Sequence, residues 1–431
     1  MTTHYPVIII GGGQAGLSVS YLLKQRDIEH VILERSNIAD SWQNKRWDSF
    51  CLVTPNWQCQ LPGFPYVGAE PGGFMRRDEI VQYIRDFARS FDPPIRMGAE
   101  ARRLSMRRGG GGYELDSSIG AFTADHVVVA VGGYHTPNIP PFSHRFPADV
   151  MQIHSAQYKN PQQLGDGDVL VVGTGQSGCQ IAEDLHLAGR HVHLCTGGAP
   201  RVARRYRGKD VVDWLHLMGY YDMPVEKHPL KEGVRGRTNH YVTGRDGGRD
   251  IDLRKFALEG MKLYGRLLGI EGESLQLADD LKRNLDAADE VNASIKKSID
   301  AFIEKQNLRA PTEPPYVPVW EPHKHVESIN WRQAGIRSVV WSIGYRSNFA
   351  WIDVPVFDGR GYPGHKRGVT RAPGLYFIGL PWLHTWGSGR FSGIARDAEY
   401  LANRIAASMP TAVAPQADMI EALVDEVAIG S

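Results

Sequence analysis

Two short apolar runs with a helical pattern between them open the chain. Residues 7–10 (Val-Ile-Ile-Ile) and 31–33 (Val-Ile-Leu) are too short for buried helices and predict two strands. The apolar positions between Leu17 and Leu23 have the spacing of an amphipathic helix. A glycine turn joins the first strand to this helix, and the second strand ends on Glu34. The pattern predicts the strand–helix–strand unit of a dinucleotide-binding fold.

The glycine turn has the form Gly-x-Gly-x-x-Gly. In such a turn the first glycine allows the sharp bend, the second lets the backbone approach a pyrophosphate, and the third lets helix and strand pack closely. The free N–H groups of the helix N-terminus face the phosphates. Glu34, 23 residues after Gly11, is expected to accept hydrogen bonds from the ribose hydroxyls. The predicted first nucleotide-binding set is Gly11, Gly13, Gln14, Ala15, Gly16 and Glu34.

The same pattern returns in residues 169–194, and two such units predict two dinucleotides that face each other. Thr196 occupies the position in the second unit that corresponds to Glu34 in the first. Arg201, Arg204 and Arg205 follow it in the sequence. A missing carboxylate with arginines nearby suits a ribose 2′-phosphate, so we predict NADPH rather than NADH. The alternative is a solvated basic loop. The predicted second set is Gly173, Gly175, Gln176, Ser177, Gly178, Thr196, Arg204 and Arg205.

A long loop rich in aromatic residues, proline and glycine covers residues 41–65. Long loops inside compact domains are usually functional, and this one offers tryptophan faces and amide donors to a planar cofactor ring. The alternative interpretation is a surface loop that buried tryptophans hold in place.

The remaining pattern predicts further elements around the two units. Residues 77–91 predict a helix, and the strands around the Gly109–Gly112 turn predict a β-meander that returns to a parallel strand. Pro137 and Pro140 stiffen a crossing between domains.

The second half of the chain predicts four helices and two more strands. One helix starts near Asp250 and ends near Gly265, and an apolar stripe at helical spacing runs through residues 277–303. This stripe packs on the nucleotide domain, or else forms a lid or a dimer surface. Runs at 338–346 and 374–379 predict strands, and a glycine-rich turn opens a helix to about Ile405. The tail from Pro410 onward predicts a linker and a peripheral helix.

Length, charge balance and cysteine spacing exclude several classes of partner and of site. The 431 residues suffice for two or three domains, and 49 basic against 48 acidic side chains give no reason to expect nucleic acid or an anionic membrane as partner. No apolar run approaches the roughly 20 residues of a membrane span, and the first strand leaves no room for a signal peptide, which predicts a cytoplasmic protein. The four cysteines form no C-x-x-C pair, so neither a redox disulfide nor a metal site is expected.

With these motifs the chain resembles a flavin-containing monooxygenase of class B, in a bacterial orphan branch of that two-dinucleotide-domain group. The matching features span nearly the whole chain and are Gly11–Gly16 with Glu34, Arg46-Trp47, Gly132 with Pro137 and Pro140, Gly173–Gly178, Ile343-Gly344-Tyr345, and Gly374–Gly379 with the final helix. The resemblance implies an α/β fold with two Rossmann-like domains, the second inserted into the first. Residues 1–158 and 332–431 would bind FAD. Residues 159–331 would bind NAD(P)H and carry a helical substrate or lid insertion at about 205–325.

The resemblance also implies a reaction. NADPH would reduce FAD, and one oxygen atom of O2 would pass through a C4a-peroxyflavin to a nitrogen, sulfur or carbonyl centre of a small organic substrate. Asn56, Gln58 and Arg46 take the catalytic positions. The resemblance is compatible with a homodimer and does not decide the oligomeric state. The further cofactor-binding positions are Arg35, Trp42, Arg46, Trp47, Thr54, Gly132, Gly344, Tyr345, Gly379 and Phe391.

One departure from the family keeps two other functions in view. The fingerprint Phe-x-Gly-x-x-x-His before the second glycine motif retains His154, but Ala148 and Val150 replace its phenylalanine and glycine. The alternatives are an NADPH-flavin oxidoreductase or oxidase without oxygen transfer, and a non-catalytic FAD-binding redox sensor.

Overall fold

The computed structural model of the protein describes residues 2–409. The helices in this part are α1 Gln14–Lys24, α2 Asp40–Asn44, α3 Arg77–Phe91, α4 Gln176–Leu187, α5 Val211–Leu217, α6 Leu253–Leu258, α7 Leu281–Lys305 and α8 Ile394–Ala406. The strands are β1 Thr3–Ile10, β2 His30–Glu34, β3 Gln60–Leu61, β4 Phe64–Pro65, β5 Ile95–Met97, β6 Ala101–Met106, β7 Tyr113–Ser117, β8 Gly120–Val129, β9 Thr136–Pro137, β10 Met151–His154, β11 Asp168–Val172, β12 Val192–Cys195, β13 Arg205–Tyr206, β14 Lys209–Asp210, β15 Lys262–Tyr264, β16 Leu267–Glu271, β17 Ser274–Leu277, β18 Ser328–Asn330, β19 Ile336–Trp341, β20 Tyr345–Arg346, β21 Ile352–Asp353, β22 His365–Lys366, β23 Val369–Thr370 and β24 Leu375–Phe377.

A ten-stranded sheet forms the first domain from both ends of the chain. β1 lies between β2 and β8 and runs parallel to both. β6, β7 and β8 form the predicted antiparallel meander. β24, near the end of the described chain, joins β8 in parallel. Strands from the first part and from the last part of the described chain therefore share one sheet.

β1 is covered on both faces, which explains its unbroken apolar run. Val7 and Ile9 pack into the core that includes the helices α1 and α8, whereas Ile8 and Ile10 pack against the meander. Alternate residues of a strand point to opposite faces, so a strand that is buried on both sides needs apolar residues throughout. Each such side chain contributes about 1.5–3 kcal/mol by its burial.

A second, five-stranded parallel sheet forms the inserted domain. Its strand order is β10-β19-β11-β12-β15. The predicted boundaries at 158/159 and 331/332 need correction, because β10 and β19 pair with each other and β19 also pairs with β11. The two chain crossings lie further out, at the short strands β9 and β20, which pair antiparallel with each other.

The region predicted as a helical insertion at 205–325 is of mixed structure. α7 confirms the apolar stripe, with Leu285, Ile299 and Ile303 buried. The helix predicted to end near Gly265 ends at Leu258 instead, because the chain returns as β15 to the edge of the second sheet. β16, β17 and β18 form a small antiparallel sheet, and β13 and β14 form a hairpin.

Two further features of the chain bear on the sequence predictions. The linker and helix predicted from Pro410 onward lie outside the described residues. Among the helices of residues 2–409, none combines the length and the apolarity that a membrane crossing requires.

Candidate active site

The turn between β1 and α1 has the shape that binding a pyrophosphate requires. Gly11 has φ +110°, and a Cβ there would lie 2.7 Å from the carbonyl oxygen of Ala130. A Cβ at Gly16 would lie 1.9 Å from the carbonyl oxygen of Gly11. A Cβ at Gly13 would meet no protein atom within 4 Å, so this face of the turn can receive a ligand. We name Gly11–Gly16 the first cradle.

Glu34 closes the first cradle at the end of β2. One carboxylate oxygen accepts a hydrogen bond from the Gly12 N–H at 2.6 Å, and the other accepts from the Ser36 N–H at 2.8 Å. The side chain is thereby fixed, and each oxygen keeps lone-pair capacity for a further donor. A ribose hydroxyl is such a donor, so the geometry fits the predicted role.

The turn between β11 and α4 repeats this geometry. Gly173 has φ +103°, and a Cβ there would lie 2.7 Å from the Ser342 carbonyl oxygen. A Cβ at Gly178 would lie 1.9 Å from the Gly173 carbonyl oxygen, the same distance as in the first cradle. A Cβ at Gly175 would come within 3.7 Å of Thr238. We name Gly173–Gly178 the second cradle, and residues 238–242 of the insertion lie beside it.

The side chain of Gln176, in the second cradle, is held by the insertion. Its amide group exchanges two hydrogen bonds with the backbone of Val242. Ser177 lies beside it in the first turn of α4 and is partly exposed.

Aromatic side chains of the 41–65 loop pack against the C-terminal segment beside the first cradle. Trp42 stacks on Phe391 with ring centroids 5.5 Å apart. The indole N–H of Trp42 donates to the side-chain oxygen of Gln14, and the amide of Gln14 donates to the carbonyl oxygen of Gly389. Gly379 has φ +80°, and a Cβ there would lie 3.0 Å from Ala15. These contacts join the loop, the first cradle and the turn before α8.

Two members of the loop differ in their exposure. Trp47 is buried and makes an edge contact with Phe50 at 5.0 Å, so it serves the core. Thr54 is partly exposed. Arg46 lies over the rings of Trp42 and Phe50, at 5.3 and 5.5 Å.

The two proposed catalytic amides have different surroundings. Asn56 is buried, donates to the Glu70 carbonyl oxygen at 3.0 Å and accepts from the Met75 N–H at 2.7 Å. These bonds make Asn56 a support for its own loop, which argues against a catalytic role. Gln58 is 2% exposed, and its side-chain oxygen has no hydrogen-bond partner in the described residues. A buried acceptor without a partner is costly, so a donor from a bound ligand fits here.

The crossing between the domains contains two glycine turns and two tyrosines that lie close together. Gly132 and Gly344 both have positive φ, +72° and +84°. Tyr345 makes an edge contact with His154 at 4.8 Å, and its ring centroid lies 5.5 Å from that of Tyr134. Burial raises the pKa of Tyr345.

Basic side chains gather between the first cradle and the crossing. Burial lowers the pKa of Arg46, and the neighbouring groups that act on this pKa are Tyr345 and Tyr134. Burial also lowers the pKa of Lys45, and the charges of Arg35 and Arg46 lower it further. This cluster favours a bound anion.

The arginines predicted to bind the 2′-phosphate need correction. Arg204 is 2% exposed, and its guanidinium donates to Asp210 at 2.6 Å and to the Val53 carbonyl oxygen at 2.8 Å. Arg201 is buried against Asp289. Both cations are therefore occupied in joining parts of the fold. Arg205 is exposed in the β13–β14 hairpin.

Other arginines lie near the end of β12. The hydroxyl of Thr196 donates to the Tyr264 carbonyl oxygen at 2.8 Å and accepts from Asn284 at 3.3 Å, so it holds the strand ends together. Arg266 and Arg283 flank these residues in sequence, and their side chains are 58% and 73% exposed. Both pair with the buried Asp280.

Sequence reasoning missed Arg390. It lies in the turn before α8, directly after Gly389, whose carbonyl oxygen accepts from Gln14, and one guanidinium nitrogen donates to Asn239 of the insertion at 3.2 Å. Its sequence context, a glycine-rich turn before a helix, drew attention only to the helix N-terminus.

The four cysteines are free and buried. Burial raises the pKa of Cys51 to about 11 and the pKa of Cys59 to about 12. Burial likewise raises the pKa of Cys195 to about 12, and that of Cys179 well above its ordinary value. Thiols with such pKa values are not nucleophilic thiolates at neutral pH, which argues against disulfide reduction.

Comparisons with known proteins agree with this architecture. The sequence model of the pyridine nucleotide-disulphide oxidoreductase family matches residues 8–216. The CzcO-like oxidoreductase of Geobacillus kaustophilus is 32% identical over 403 residues, which cover 93% of this chain and 97% of the relative. The probable indole-3-pyruvate monooxygenase YUCCA3 of Arabidopsis thaliana is 30% identical over 395 residues, covering 86% and 81%.

Among solved structures, the flavin-containing monooxygenase from Stenotrophomonas maltophilia superposes with a TM-score of 0.65 at 18% identity. The match covers 94% of this chain and 99% of that one. This superposition confirms the fold class, and the sequence relatives confirm that the chain belongs to a group of flavoprotein oxidoreductases that resemble flavin-containing monooxygenases.

Proposed function

The chain belongs to the family of CzcO-like oxidoreductases, and from that premise we propose that it is an NADPH-dependent FAD monooxygenase. It transfers one oxygen atom of O2 to a small organic substrate with a nitrogen, sulfur or carbonyl centre. FAD binds at the first cradle and NADPH at the second.

One chain of contacts between the cradles supports this proposal most strongly. Gln14, in the first cradle, bonds to Gly389; the next residue, Arg390, bonds to Asn239. Thr238, beside Asn239, lies next to Gly175 in the second cradle. Groups bound at the two cradles would therefore meet in one cleft, as hydride transfer requires.

When bound, FAD and NADPH supply hydride transfer and the activation of oxygen. The protein's own residues bind and orient them. Glu34 holds a ribose, Trp42 and Arg46 line the flavin position, and Gln58 offers its free acceptor to a donor on the cofactor. The aromatic side chains around the cleft exclude water, which limits the unproductive release of hydrogen peroxide.

For the 2′-phosphate of NADPH we propose Arg266 and Arg283 in place of Arg204. Both are exposed and lie in sequence beside Tyr264 and Asn284, the residues that bond to Thr196 after β12. A guanidinium binds a phosphate through two parallel hydrogen bonds, so these side chains can exchange part of their contact with Asp280 for the ligand.

The test is isotopic. The purified protein, loaded with FAD, is reduced by NADPH without oxygen, and bleaching of the flavin absorbance is recorded. A panel of amines, thioethers and ketones is then supplied under ¹⁸O2, with NADPH consumption and peroxide counted separately. Product carrying one ¹⁸O atom is the expected result. Reduction and peroxide release without labelled product across the panel would indicate an oxidase. A flavin that NADPH does not bleach would indicate a redox sensor.

A further inference from the structure

One carboxylate of α4 binds three other parts of the chain. Asp184 is 4% exposed, and its Oδ1 accepts hydrogen bonds from the hydroxyl of Ser49 at 2.6 Å and from the guanidinium of Arg245 at 2.5 Å. Its Oδ2 accepts from the hydroxyl of the fully buried Tyr158 at 2.6 Å. Burial and the charge of Asp184 raise the pKa of Tyr158, so this hydroxyl keeps the proton that it donates. We name these four side chains the junction.

The three donors of the junction come from different parts of the fold. Ser49 belongs to the loop of the first domain that packs beside the first cradle, Tyr158 follows β10 of the second sheet, and Arg245 belongs to the insertion. Asp184 itself lies about two helical turns after Gln176 on α4, the helix whose N-terminus forms the second cradle. The junction therefore connects both domains and the insertion through one carboxylate.

Contacts of the backbone next to the junction connect the same two domains. The N–H of Asp48 donates to the carbonyl oxygen of Lys159 at 2.8 Å, and the side chain of Asn160 donates to the carboxylate of Asp48 at 2.7 Å. The ammonium group of Lys159 donates to the carbonyl oxygen of Arg46 at 3.2 Å. The segment 44–50, which carries Arg46 toward the flavin position, is thus held by residues of the second domain.

The insertion is bound to α4 by a second pair of the same kind. Glu183, the residue before Asp184, is 1% exposed and accepts a hydrogen bond from Arg249 at 3.1 Å. Arg245 and Arg249 follow shortly after the segment 238–242, which lies beside the second cradle. Two consecutive acids of one helix therefore hold the part of the insertion that borders the nucleotide site.

Hydride transfer depends steeply on the distance and the orientation of the reacting groups, and a displacement of about 1 Å can slow a reaction about a hundredfold. A carboxylate suits the junction because its two oxygens can accept from all three donors at once. We propose that Asp184 is a positioning residue, which fixes the placement of the two cradles relative to each other and hence the geometry of hydride transfer between them. This inference rests on the proposed function for the hydride transfer, whereas the coupling of the two domains requires no turnover.

The first measurement is of backbone hydrogen exchange in the FAD-loaded protein, followed by mass spectrometry. Ser49→Ala removes the link from the first domain at an exposed residue and leaves the other two donors on Asp184. Loss of a charge-assisted hydrogen bond predicts that residues 44–50 exchange about tenfold faster, with exchange in β1 and β11 unchanged. Ser49→Thr keeps the hydroxyl and should restore slow exchange. Ser298→Ala, which removes an exposed hydroxyl that bonds within α7, is the matched control and should behave as the unaltered protein.

The second measurement separates positioning from binding. In anaerobic stopped-flow experiments, the limiting rate of flavin reduction at saturating NADPH should fall about fivefold or more in Ser49→Ala, because the two nucleotides are less well aligned. The dissociation constants of FAD and of NADP⁺, measured by calorimetry, should stay within about twofold, because neither cradle is altered. Asp184→Asn offers one acceptor oxygen in place of two and should increase both the exchange and the loss of rate.

Three results would overturn the inference. One is unchanged exchange of residues 44–50 in both Ser49→Ala and Asp184→Asn. Another is faster exchange with an unchanged limiting rate of reduction, which would make the junction a structural contact alone. The third is a fall in nucleotide affinity that accounts for the whole kinetic effect. If NADPH does not reduce the unaltered protein, the proposed function fails, and the exchange measurement alone then decides whether Asp184 couples the two domains.

Discussion

Two glycines of the first cradle should respond in opposite ways to the same added methyl group. Gly13→Ala places a Cβ that meets no protein atom within 4 Å, at a residue whose φ of −82° suits alanine. The protein without cofactor should therefore keep its stability to within about 1 kcal/mol, since the cost is that of replacing a glycine N-cap. The methyl group does lie on the ligand face of the turn, so FAD affinity should fall at least tenfold.

Gly16→Ala tests the other side of the turn. Its Cβ would lie 1.9 Å from the carbonyl oxygen of Gly11, far inside van der Waals contact, and the nearest atoms are backbone that cannot rotate away. Forced overpacking of this kind costs about 1–3 kcal/mol or more, so the protein without cofactor should unfold at a lower temperature.

The assay separates the two effects. Thermal unfolding of each variant is followed by circular dichroism without FAD, and FAD affinity is then measured from the quenching of its fluorescence. Gly72→Ala is the control, because a Cβ there also meets nothing within 4 Å but the residue lies in a surface loop. If Gly13→Ala bound FAD as tightly as the unaltered protein, or if Gly16→Ala unfolded at an unchanged temperature, the assignment of the cradle would be wrong.

Three further predictions concern the other parts of the site. Arg266→Ala with Arg283→Ala should raise the Michaelis constant for NADPH but not for NADH, and equal effects on both coenzymes would contradict this assignment. Arg204→Ala should instead lower the unfolding temperature, because it removes the ion pair of the largely buried carboxylate of Asp210. Asn56→Ala should destabilise the protein by about 1–3 kcal/mol, because it removes buried hydrogen bonds. Gln58→Ala should instead change the rate of flavin reduction and have little effect on the unfolding of the protein without cofactor. The opposite pair of results would refute the assignment of Asn56 to the fold and of Gln58 to the ligand. Burial raises the pKa of the Asp397 carboxyl group to about 6, so the folded protein holds this proton more tightly than the unfolded chain. The stability of the protein should therefore fall as the pH rises from about 4 to about 6. Asp397→Asn should raise the unfolding temperature at pH 8 but not at pH 4, and equal shifts at both pH values would exclude this titration.

The sequence predicted those features that depend on local pattern. The two cradles follow from glycine spacing between apolar runs, and α3 spans the predicted residues 77–91 because its apolar face has a regular period. The domain boundaries failed for a physical reason. β10 and β19 are short strands whose place in the second sheet is decided by pairing across nearly 190 residues, which no local pattern encodes.

The same distinction between local pattern and long-range contact applies to the candidate site. The turn at Gly11 could be predicted because its conformation depends on a few neighbouring residues. The burial of Arg204 could not be predicted, because the groups that bind it, Asp210 and the carbonyl group of Val53, come together only in the folded chain. The sequence around Arg204, which pairs with Asp210, does not distinguish it from Arg266 and Arg283, which we propose as ligands of the 2′-phosphate.

The buried arginines that form ion pairs with aspartates differ from the two arginines that have tyrosines as neighbours. Arg204 and Arg254 sit beside aspartates, and removing a partner from such a pair would leave an uncompensated buried charge. Arg46 and Arg390 are partly buried, burial lowers the pKa of each, and tyrosines are the neighbouring groups that act on these pKa values. Within residues 2–409, Arg46 and Arg390 form no ion pair, in contrast to Arg204 and Arg254. We therefore expect an anionic ligand beside these two side chains to bind more favourably than a neutral one and to stabilise the folded protein.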